Sequence, residues 1–296
     1  MSFLRPNFSF IVIFHNMERE ARRTLLSLTR EYQNDSERFS YEVLAIDNGS
    51  DRPIQASEVE SLGKQFSYHY FETSSPSPVN AINWAAKMAK GKHLCVSIDG
   101  ARILSPGIFS FFDVAIRSFQ LPFIYTLGMH LGPAIQNESI ESGYNQSVED
   151  GLLDSTGWEQ DGYRLFDISS LAGSSSGGFF GPMAESNCFC LPKSLYMKVG
   201  GFNPEFKSPG GGLVNLDFFQ KASCYIGVTP ILLLGEATFH QVHGGVAANA
   251  PKNNHPMARF QTEYERIYSK PWEINSELKP VYLGKLSDGS KKFAFK

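Results

Sequence analysis

The stretch FSFIVIFHN, residues 8–16, is an unbroken run of β-branched and aromatic side chains that ends on a histidine and an asparagine. A strand without polar alternation is typical of a parallel sheet that helices cover on both faces. The following stretch, MEREARRTLLSLTREYQ (17–33), places leucines at helical spacing. A strand followed by a helix is the first unit of an α/β fold.

Two further units of strand and helix follow the first. The strand YEVLAIDNGS (41–50) precedes an acidic helical stretch, and the helix PVNAINWAAKMAKGK (78–92) leads into the strand HLCVSID (93–99). This alternation predicts an α/β fold with an open, mostly parallel sheet flanked by helices. Ligands of such sheets bind at the carboxyl ends of the strands.

Polar residues occupy three of these strand ends. His15 follows the first strand, Asp47 ends the second, and Asp99 stops the apolar run within GKHLCVSIDGARILSPG (91–107). A carboxylate at the end of a buried strand is costly unless a cation, a ligand or a proton binds it. We therefore expect a ligand or a metal ion at Asp99.

Composition and charge narrow the classes of partner. The 296 residues carry 27 basic and 30 acidic side chains, and a net charge of −3 does not favour a nucleic-acid partner. The apolar run near the N-terminus is too short to span a membrane and lacks a small-residue cleavage site. We therefore predict a cytoplasmic protein without an integral membrane segment and leave peripheral membrane association open. The four cysteines lack CxxC spacing, and we expect reduced, buried thiols at Cys95, Cys188, Cys190 and Cys224.

The second half of the sequence is less regular. The predicted helix ILSPGIFSFFDVAIRSF (103–119) precedes polar and acidic residues 133–165 and a stretch rich in glycine and serine, 171–187. Loops of this length are usually functional or mobile. Residues 251–296 predict a helix and a basic tail, and we expect the tail to be solvated. Contact of this segment with the site, a partner or an anionic membrane stays open.

Several motifs together resemble the family 2 glycosyltransferases of the GT-A fold. The resemblance covers residues 8–245 and keeps the family's order and spacing. The motifs are FHNMEREARRTLLSL for the opening strand and helix, YEVLAIDNGSD for vvDnGSxD, NWAAKMAKGK for NxGxxxAxGe, SIDGARILSPG for D-x-D, VGGFNPEF for vGGFDExf, and GGGLVNLDF for gEDxDl. The ending TFHQVHGG with RFQTEYERIYSKPW resembles a bacterial subgroup of polysaccharide biosynthesis.

The resemblance implies a domain organisation and a reaction. Residues 1–250 would form the GT-A domain, with a Rossmann-like nucleotide-sugar-binding half (1–105) and an acceptor-binding, catalytic half (106–250). Residues 251–296 would add the C-terminal helix and tail. The reaction would transfer a sugar from a nucleotide-diphosphate donor to a glycan or a lipid-linked acceptor, with inversion by direct displacement.

A divalent metal, Mn²⁺ or Mg²⁺, is the implied cofactor, because charge that develops on the diphosphate leaving group must be neutralised. Asp99 and a late histidine would be its ligands. His240 and His243 point to opposite sides if the strand continues through both, so we expect His243 on the metal, with His240 as the second candidate and a core histidine as the alternative. The second acid of D-x-D is Ala101. This departure leaves open whether Asp99 binds metal or only the donor ribose, with Arg102 offering charge to phosphate.

The remaining site residues are also implied by the resemblance. Asp47 would accept a hydrogen bond from a pyrimidine N–H, although DNGSD is also a turn sequence. The arginine that often precedes the family's asparagine is Ile82 here. The predicted nucleotide-sugar-binding residues are Phe14, His15, Asp47, Asn48, Asn83, Asp99 and Gly100.

Asp217 is the predicted catalytic base, which would accept the proton of the acceptor hydroxyl. The alternative is that it only stabilises the N-terminal turn of its helix. The family's first acid is replaced by Val214 or Asn215, depending on the alignment. The predicted acceptor-binding residues are Glu185, Ser186 and Asn187.

Two other classes of function remain open. A noncatalytic nucleotide-sugar-binding module is favoured by Ala101 and by the lost arginine. A nucleotidyltransferase ranks last, because FHNMERE is not the glycine-rich, basic loop that such an enzyme usually has after its first strand.

Overall fold

Strand β1 (Phe8–Phe14) is buried along its whole length and lies between β2 (Tyr41–Asp47) and β4 (His93–Ser97). The computed structural model describes residues 6–250 and 255–295. The other strands of this ten-stranded sheet are β3 (Phe66–Tyr70), β5 (Arg102–Leu104), β6 (Pro122–Leu131), β7 (Ser169–Leu171), β8 (Cys188–Pro192), β9 (Thr229–His240) and β10 (Val281–Gly284).

Helices cover both faces of the sheet, as the unbroken apolar strands predict. Alternate residues of β1 pack into two separate clusters: Ile11 and Ile13 lie with residues of α3, and Phe10 and Val12 lie with residues of α1 and α4. The helices are α1 (Glu18–Leu26), α2 (Ala56–Ser61), α3 (Val79–Met88), α4 (Ile108–Ser118), α5 (Gln136–Ser139), α6 (Gln146–Thr156), α7 (Lys193–Lys198), α8 (Val214–Ser223), α9 (Met257–Tyr268) and α10 (Asp288–Lys291).

The sheet is mostly parallel, as predicted, with the strand order β10-β9-β6-β8-β4-β1-β2-β3. The short strand β5 pairs with β9, and β7 pairs with β6. Strand β8 is antiparallel to both of its neighbours, β4 and β6, and Cys188 lies opposite Ser97. The chain therefore enters β8 at the carboxyl edge of the parallel strands, and this brings residues 185–187 to the same edge as Asp99.

The polar segment 133–165 is a helical insertion rather than a long loop. It contains α5 and α6, and the side chain of Asn145 caps α6 by accepting from the N–H groups of Ser147 and Val148. Arg19 of α1 ties the insertion to the main fold through Asp150 at 2.6 Å and through the buried Glu149 at 3.1 Å. The sequence pattern did not predict these helices because α5 has only four residues and α6 is largely polar.

The C-terminal segment joins the sheet. The predicted helix is α9, and it is followed by β10, which pairs in parallel with β9. The basic tail 285–296, which we expected to be solvated, forms α10 and returns to the main fold, where the Phe293 carbonyl oxygen accepts from the Phe179 N–H at 2.9 Å. Residues 251–254 of the predicted segment lie outside the described residues. Strand β9 accepts a further strand because it would otherwise present unpaired backbone groups at the sheet edge.

The cysteines are unpaired thiols, and Cys95, Cys188 and Cys190 are buried as expected. Cys224 is exposed, which corrects the expectation of burial: it immediately follows α8, where the chain turns at the surface. Burial raises the pKa of both Cys95 and Cys188. Among the described residues, no helix has the length and apolar character needed to cross a membrane.

A buried acid fastens the start of α4 to β9. Glu236 accepts hydrogen bonds from Ser105 Oγ at 2.5 Å, from the Gly107 N–H at 3.1 Å and from the Tyr163 hydroxyl at 2.7 Å. Burial raises the pKa of Glu236 to about 7, although these donors oppose the shift. Gly107 is required here because a Cβ would lie 2.3 Å from Glu236 Oε1.

We expect Glu236→Gln to flatten the pH dependence of stability. A carboxyl whose pKa rises from 4.5 to about 7 on folding favours the fold below pH 4.5, and this contribution is lost as the pH rises through 7. The free energy of unfolding of the variant, relative to that of the parent, should therefore increase by about 1–3 kcal/mol between pH 5 and pH 8. Urea titrations at several pH values measure this difference, with the exposed Glu60→Gln as the control. A difference that does not change with pH would contradict the prediction.

Candidate functional site

Asp99 lies just beyond β4, where the chain turns tightly against β1. A Cβ added at Gly100 would lie 2.3 Å from Phe14 Cδ1 and 2.4 Å from the Ile13 carbonyl oxygen, so only glycine fits. The Asp99 carboxylate is oriented by the Ala101 N–H, which donates to Oδ1 at 3.0 Å. The Phe14 ring is fully buried beneath this turn. Phe14 thus shapes the site from below, and its ring does not face the open edge.

Asp99 meets both late histidines at the carboxyl edge. Its Oδ2 atom lies 3.0 Å from His240 Nε2, and its Oδ1 atom lies 3.8 Å from His243 Nε2. The two Nε2 atoms are 3.2 Å apart. The three side chains each offer one ligand atom, and these atoms lie within 4.8 Å of one another.

The expectation that His240 and His243 point to opposite sides is wrong. Strand β9 ends at His240, so strand alternation does not continue to His243. The turning chain brings the His243 ring back against the His240 ring, with the ring centroids 5.1 Å apart.

Gln136 fixes the tautomer of His240. The Gln136 Nε2 group donates to the His240 carbonyl oxygen at 2.9 Å, so its Oε1 atom is the acceptor that faces His240 Nδ1 at 2.6 Å. The proton of the neutral ring is therefore on Nδ1, and the lone pair of Nε2 points at Asp99 and His243. Burial lowers the pKa of His240 to about 4, which keeps the imidazole neutral. A neutral imidazole with a fixed tautomer is suited to bind a metal ion.

Asn249 extends this support to His243. Its Oδ1 atom accepts from three successive N–H groups, those of His243 at 3.1 Å, Gly244 at 2.9 Å and Gly245 at 2.8 Å. Its Nδ2 group donates to Gln136 Oε1 at 2.9 Å. The Gln136–Asn249 pair therefore holds both histidines, and sequence reasoning missed it because neither residue lies in a recognisable motif.

The cluster of Asp99, His240 and His243 fits a divalent metal ion. Ligand atoms about 2.1 Å from an octahedral ion and at right angles to one another lie about 3.0 Å apart. Asp99 Oδ2 and His240 Nε2, at 3.0 Å, and the two Nε2 atoms, at 3.2 Å, have nearly this separation, whereas Asp99 Oδ1 and His243 Nε2 are 3.8 Å apart. One carboxylate oxygen and two imidazole nitrogens suit a divalent transition-metal ion and leave coordination positions for other oxygen ligands. Burial alone would raise the pKa of Asp99, but His240, His243 and Arg102 outweigh it and hold that pKa well below its usual range. Asp99 is therefore an anionic ligand.

The acid predicted to bind the base is completely buried at the end of β2. Asp47 Oδ1 accepts from the Ser50 N–H at 2.8 Å, whereas Asp47 Oδ2 and Asn48 Oδ1 are buried without a hydrogen-bond partner. An unsatisfied buried acceptor costs about 1–3 kcal/mol, which a donor on a ligand would recover. His15 is exposed beside them, with Nδ1 at 3.0 Å from the Asn48 carbonyl oxygen.

Asn83 has a structural task. Its Nδ2 group donates to the Phe202 carbonyl oxygen at 2.8 Å, and its Oδ1 atom accepts from the Phe202 N–H at 3.1 Å and the Tyr196 hydroxyl at 2.6 Å. The side chain thus holds the loop that contains the VGGF motif. Asn83 is therefore not part of the proposed donor site.

The predicted acceptor residues precede β8 and have different surroundings. Glu185 is partly exposed, and its Oε2 atom accepts from Asn215 Nδ2 at 2.6 Å. Burial raises the pKa of Glu185, whereas Asn215, Arg102 and Asn187 lower it. The Ser186 side chain is buried and bonds to the backbone of Thr126 and Cys188, so it joins β6 to β8. Of these residues, Glu185 is the one with a partly exposed ionisable group at the carboxyl edge of the sheet.

Asp217 lies on α8 but faces α9. It is 3% exposed, and its Oδ2 atom accepts from Lys221 Nζ at 2.9 Å and from the Tyr268 hydroxyl at 3.2 Å. Burial raises its pKa, and Lys221 opposes the shift. Asn215, two residues earlier, has its Oδ1 atom buried without a partner while its Nδ2 group binds Glu185. The role of Asp217 as the base stays a prediction.

Comparison with known proteins identifies the class. Residues 9–100 match the family model Glycosyl transferase family 2. A structure of TarS from S. aureus aligns with a TM-score of 0.51 at 16% identity, over 80% of this chain and 37% of that chain. TarS 1–349 from S. aureus in complex with UDP aligns with a TM-score of 0.50 at 14% identity, over 80% of this chain and 60% of that chain. A search of curated proteins finds no match.

These findings show that the N-terminal third of the chain is similar to family 2 glycosyltransferases and that the chain has a fold like theirs. The predicted resemblance to family 2 glycosyltransferases is confirmed over residues 9–100, and the predicted GT-A-type fold is confirmed by the structural likeness. At 14–16% identity the structural likeness shows the fold, and this chain spans 37% of the length of the TarS chain.

We expect the ligand variants Asp99→Asn, His240→Ala and His243→Ala each to lower Mn²⁺ affinity at least about tenfold, because each removes or weakens one of three donor atoms. Gln136→Leu should lower it by about 10–100-fold while all three ligands remain, because the tautomer of His240 is no longer fixed. Calorimetric titration of Mn²⁺ into the full chain measures both effects.

The control for these variants is His69→Ala, on β3, where the ring contacts Ser67 Oγ at 3.0 Å. Circular dichroism confirms that each variant is folded. Parent-like Mn²⁺ affinity in Asp99→Asn would contradict the metal assignment and favour the ribose role of Asp99.

Proposed function

We propose that this protein transfers a sugar from a nucleoside-diphosphate donor to a hydroxyl group of a glycan or lipid-linked acceptor, with inversion at the anomeric carbon. The observation that carries the proposal is the convergence of Asp99, His240 and His243 at the carboxyl edge of a sheet whose N-terminal strands match the family 2 model. Parallel α/β sheets bind nucleotides at this edge.

The donor lies with its base at β2 and its diphosphate at Asp99. Asp47 Oδ2, which is buried and unpartnered, accepts from an N–H group of the base. A pyrimidine N–H fits a single carboxylate oxygen in this place, so we infer a uridine or related nucleotide. Asp99, His240 and His243 would hold Mn²⁺ or Mg²⁺, which would neutralise charge on the leaving diphosphate.

The transfer is a single displacement. The bond between the anomeric carbon and the diphosphate oxygen breaks, and its electron pair leaves with the diphosphate. The acceptor oxygen forms the new bond on the opposite face and gives its proton to a carboxylate base. We assign this base to Glu185, because it is partly exposed at the edge, its Oε2 atom is fixed by Asn215 at 2.6 Å, and burial raises its pKa and thus its basicity.

Asp217, the base that the family resemblance implies, is the second candidate. Its Oδ2 atom already accepts two hydrogen bonds, from Lys221 and Tyr268, and its side chain is buried against α9. Use as a base would require both donors to release it. The acceptor hydroxyl finds a different partner in Asn215 Oδ1, which is buried and unpartnered beside Glu185.

A noncatalytic nucleotide-sugar-binding module is the alternative function. Two residues favour it: Ala101 replaces an acid of the D-x-D motif, and Asn215 stands at one of the two alignments of the first gEDxDl acid. The place of action also belongs to the proposal: we infer the cytoplasm, from the reduced thiols, with peripheral membrane contact left open.

We expect Asp47→Asn to lower the affinity for UDP by about 10–100-fold, because an amide NH₂ would face the base N–H where a charged acceptor stood. The asparagine keeps the shape of the side chain and can retain the turn bond to the Ser50 N–H. Calorimetry with a panel of nucleoside diphosphates, with and without Mn²⁺, measures the affinity. Asp51→Asn is the matched control, since this exposed carboxylate lies in the same loop. Absence of binding by any nucleoside diphosphate would refute the donor site.

We expect Glu185→Gln to lower turnover by about 10²–10⁴-fold, the usual cost of losing a general base, with nucleotide affinity unchanged. Release of nucleoside diphosphate from a panel of nucleotide sugars, with water or added glycans as acceptors, measures turnover. Asp217→Asn is run in parallel and should stay within about tenfold of the parent. Loss of turnover in Asp217→Asn alone would return the base to Asp217. A parent that binds donors tightly and never turns over would establish the binding module.

A further inference from the structure

Arg102 is a buried cation with unused hydrogen-bond donors. It lies on β5 directly opposite His240 on β9, and it is 5% exposed. Its Nε atom is 3.3 Å from Asp99 Oδ2, in a geometry that forms an ion pair without a hydrogen bond. Both Nε and Nη1 are buried without a hydrogen-bond partner. A guanidinium carries five N–H donors, and buried donors are normally satisfied, so this arrangement requires an explanation.

The surroundings of Arg102 place it at the centre of the site. Its positive charge acts on Asp99, on His240 and on Glu185, and it lowers the pKa of each. Arg102 thus lies against Asp99 and opposite His240, both candidate metal ligands. Both acids that flank it already have other partners: Asp99 contacts His240, and Glu185 accepts from Asn215.

We propose that Arg102 is a second cation of the donor site, which donates hydrogen bonds to phosphate oxygens of the nucleoside diphosphate and holds the leaving group whether or not a metal ion is bound. This inference rests on the proposed function of the same site. A phosphate oxygen satisfies the unpartnered N–H groups, and planar guanidinium groups bind phosphate in a bidentate manner.

The count of charges supports this assignment. An imidazole that binds a metal through its nitrogen lone pair carries no charge, so with Asp99 as the single carboxylate a bound divalent ion would keep one net positive charge, and Arg102 adds a second. A second carboxylate at residue 101 would cancel the charge on the ion. Ala101 and Arg102 together therefore make the site more cationic, which favours a diphosphate over an uncharged ligand.

The experiment compares the binding of UDP and uridine to the full chain by calorimetry, in Mn²⁺ and in EDTA. We expect Arg102→Gln to lower UDP affinity by about 10–100-fold in both conditions, since hydrogen bonds between charged groups are lost. Uridine affinity should change less than about twofold, because the nucleoside has no phosphate. Arg102→Lys should recover part of the loss by restoring a point charge.

Arg23→Gln is the matched control. Arg23 is also largely buried, is paired with Asp150 at 2.6 Å, and has an unpartnered Nη1 atom, but it lies on α1 away from Asp99. Parent-like UDP affinity in Arg102→Gln would overturn the inference while the proposed function stands. No nucleotide binding by the parent would overturn both. If Arg102→Gln does not fold, the test is the binding of UDP and uridine to the parent in EDTA. Tighter binding of UDP than of uridine supports the second cation, and equal affinities refute it.

Discussion

The Asp99 carboxylate is the group on which the arrangement of the site depends. It is largely buried, with 21% of its side-chain surface exposed; Arg102 forms an ion pair with it, and His240 and His243 lie against it. These partners come from β5, from the end of β9 and from the turn beyond it. A buried carboxylate without such partners would be strongly destabilising. The pairing of β5 with β9 therefore shapes the site as well as the sheet, because it places Arg102 opposite His240.

The sequence patterns predict the part of the fold that local physics controls. Continuous apolar strands and amphipathic helices are visible in the first hundred residues, and Asp47 and Asp99 lie at strand ends because the apolar runs stop there. The three-residue strand β5 was expected to be part of a helix, because it is too short to have a pattern of its own. It exists because β9 offers it a partner, and that pairing is a long-range interaction.

The residues that hold the two histidines could not be predicted from the sequence, because they too depend on long-range contacts. Gln136 and Asn249 are separated by 113 residues, yet they share a hydrogen bond of 2.9 Å and together hold both histidines. Gln136 lies at the start of a polar segment and Asn249 lies among small residues, and no periodicity marks either of them. The error over His240 and His243 is different: the alternation rule is right for a strand, but the strand ends at His240. A prediction of the strand end would have placed both rings together.

The geometry of α8 determines which of its two polar residues, Asn215 or Asp217, faces the carboxyl edge of the sheet. Asn215 and Asp217 are two positions apart, and successive residues of an α-helix are about 100° apart, so their side chains point about 200° apart. Only one of them can face the carboxyl edge. Asn215 does so, since it binds Glu185 and the Ser186 carbonyl oxygen, whereas Asp217 binds Lys221 and Tyr268 on the side of α9. An acid at residue 215 would repel Glu185, whereas the amide of Asn215 donates a hydrogen bond to it, so the carboxylate next to this end of α8 comes from the segment that precedes β8.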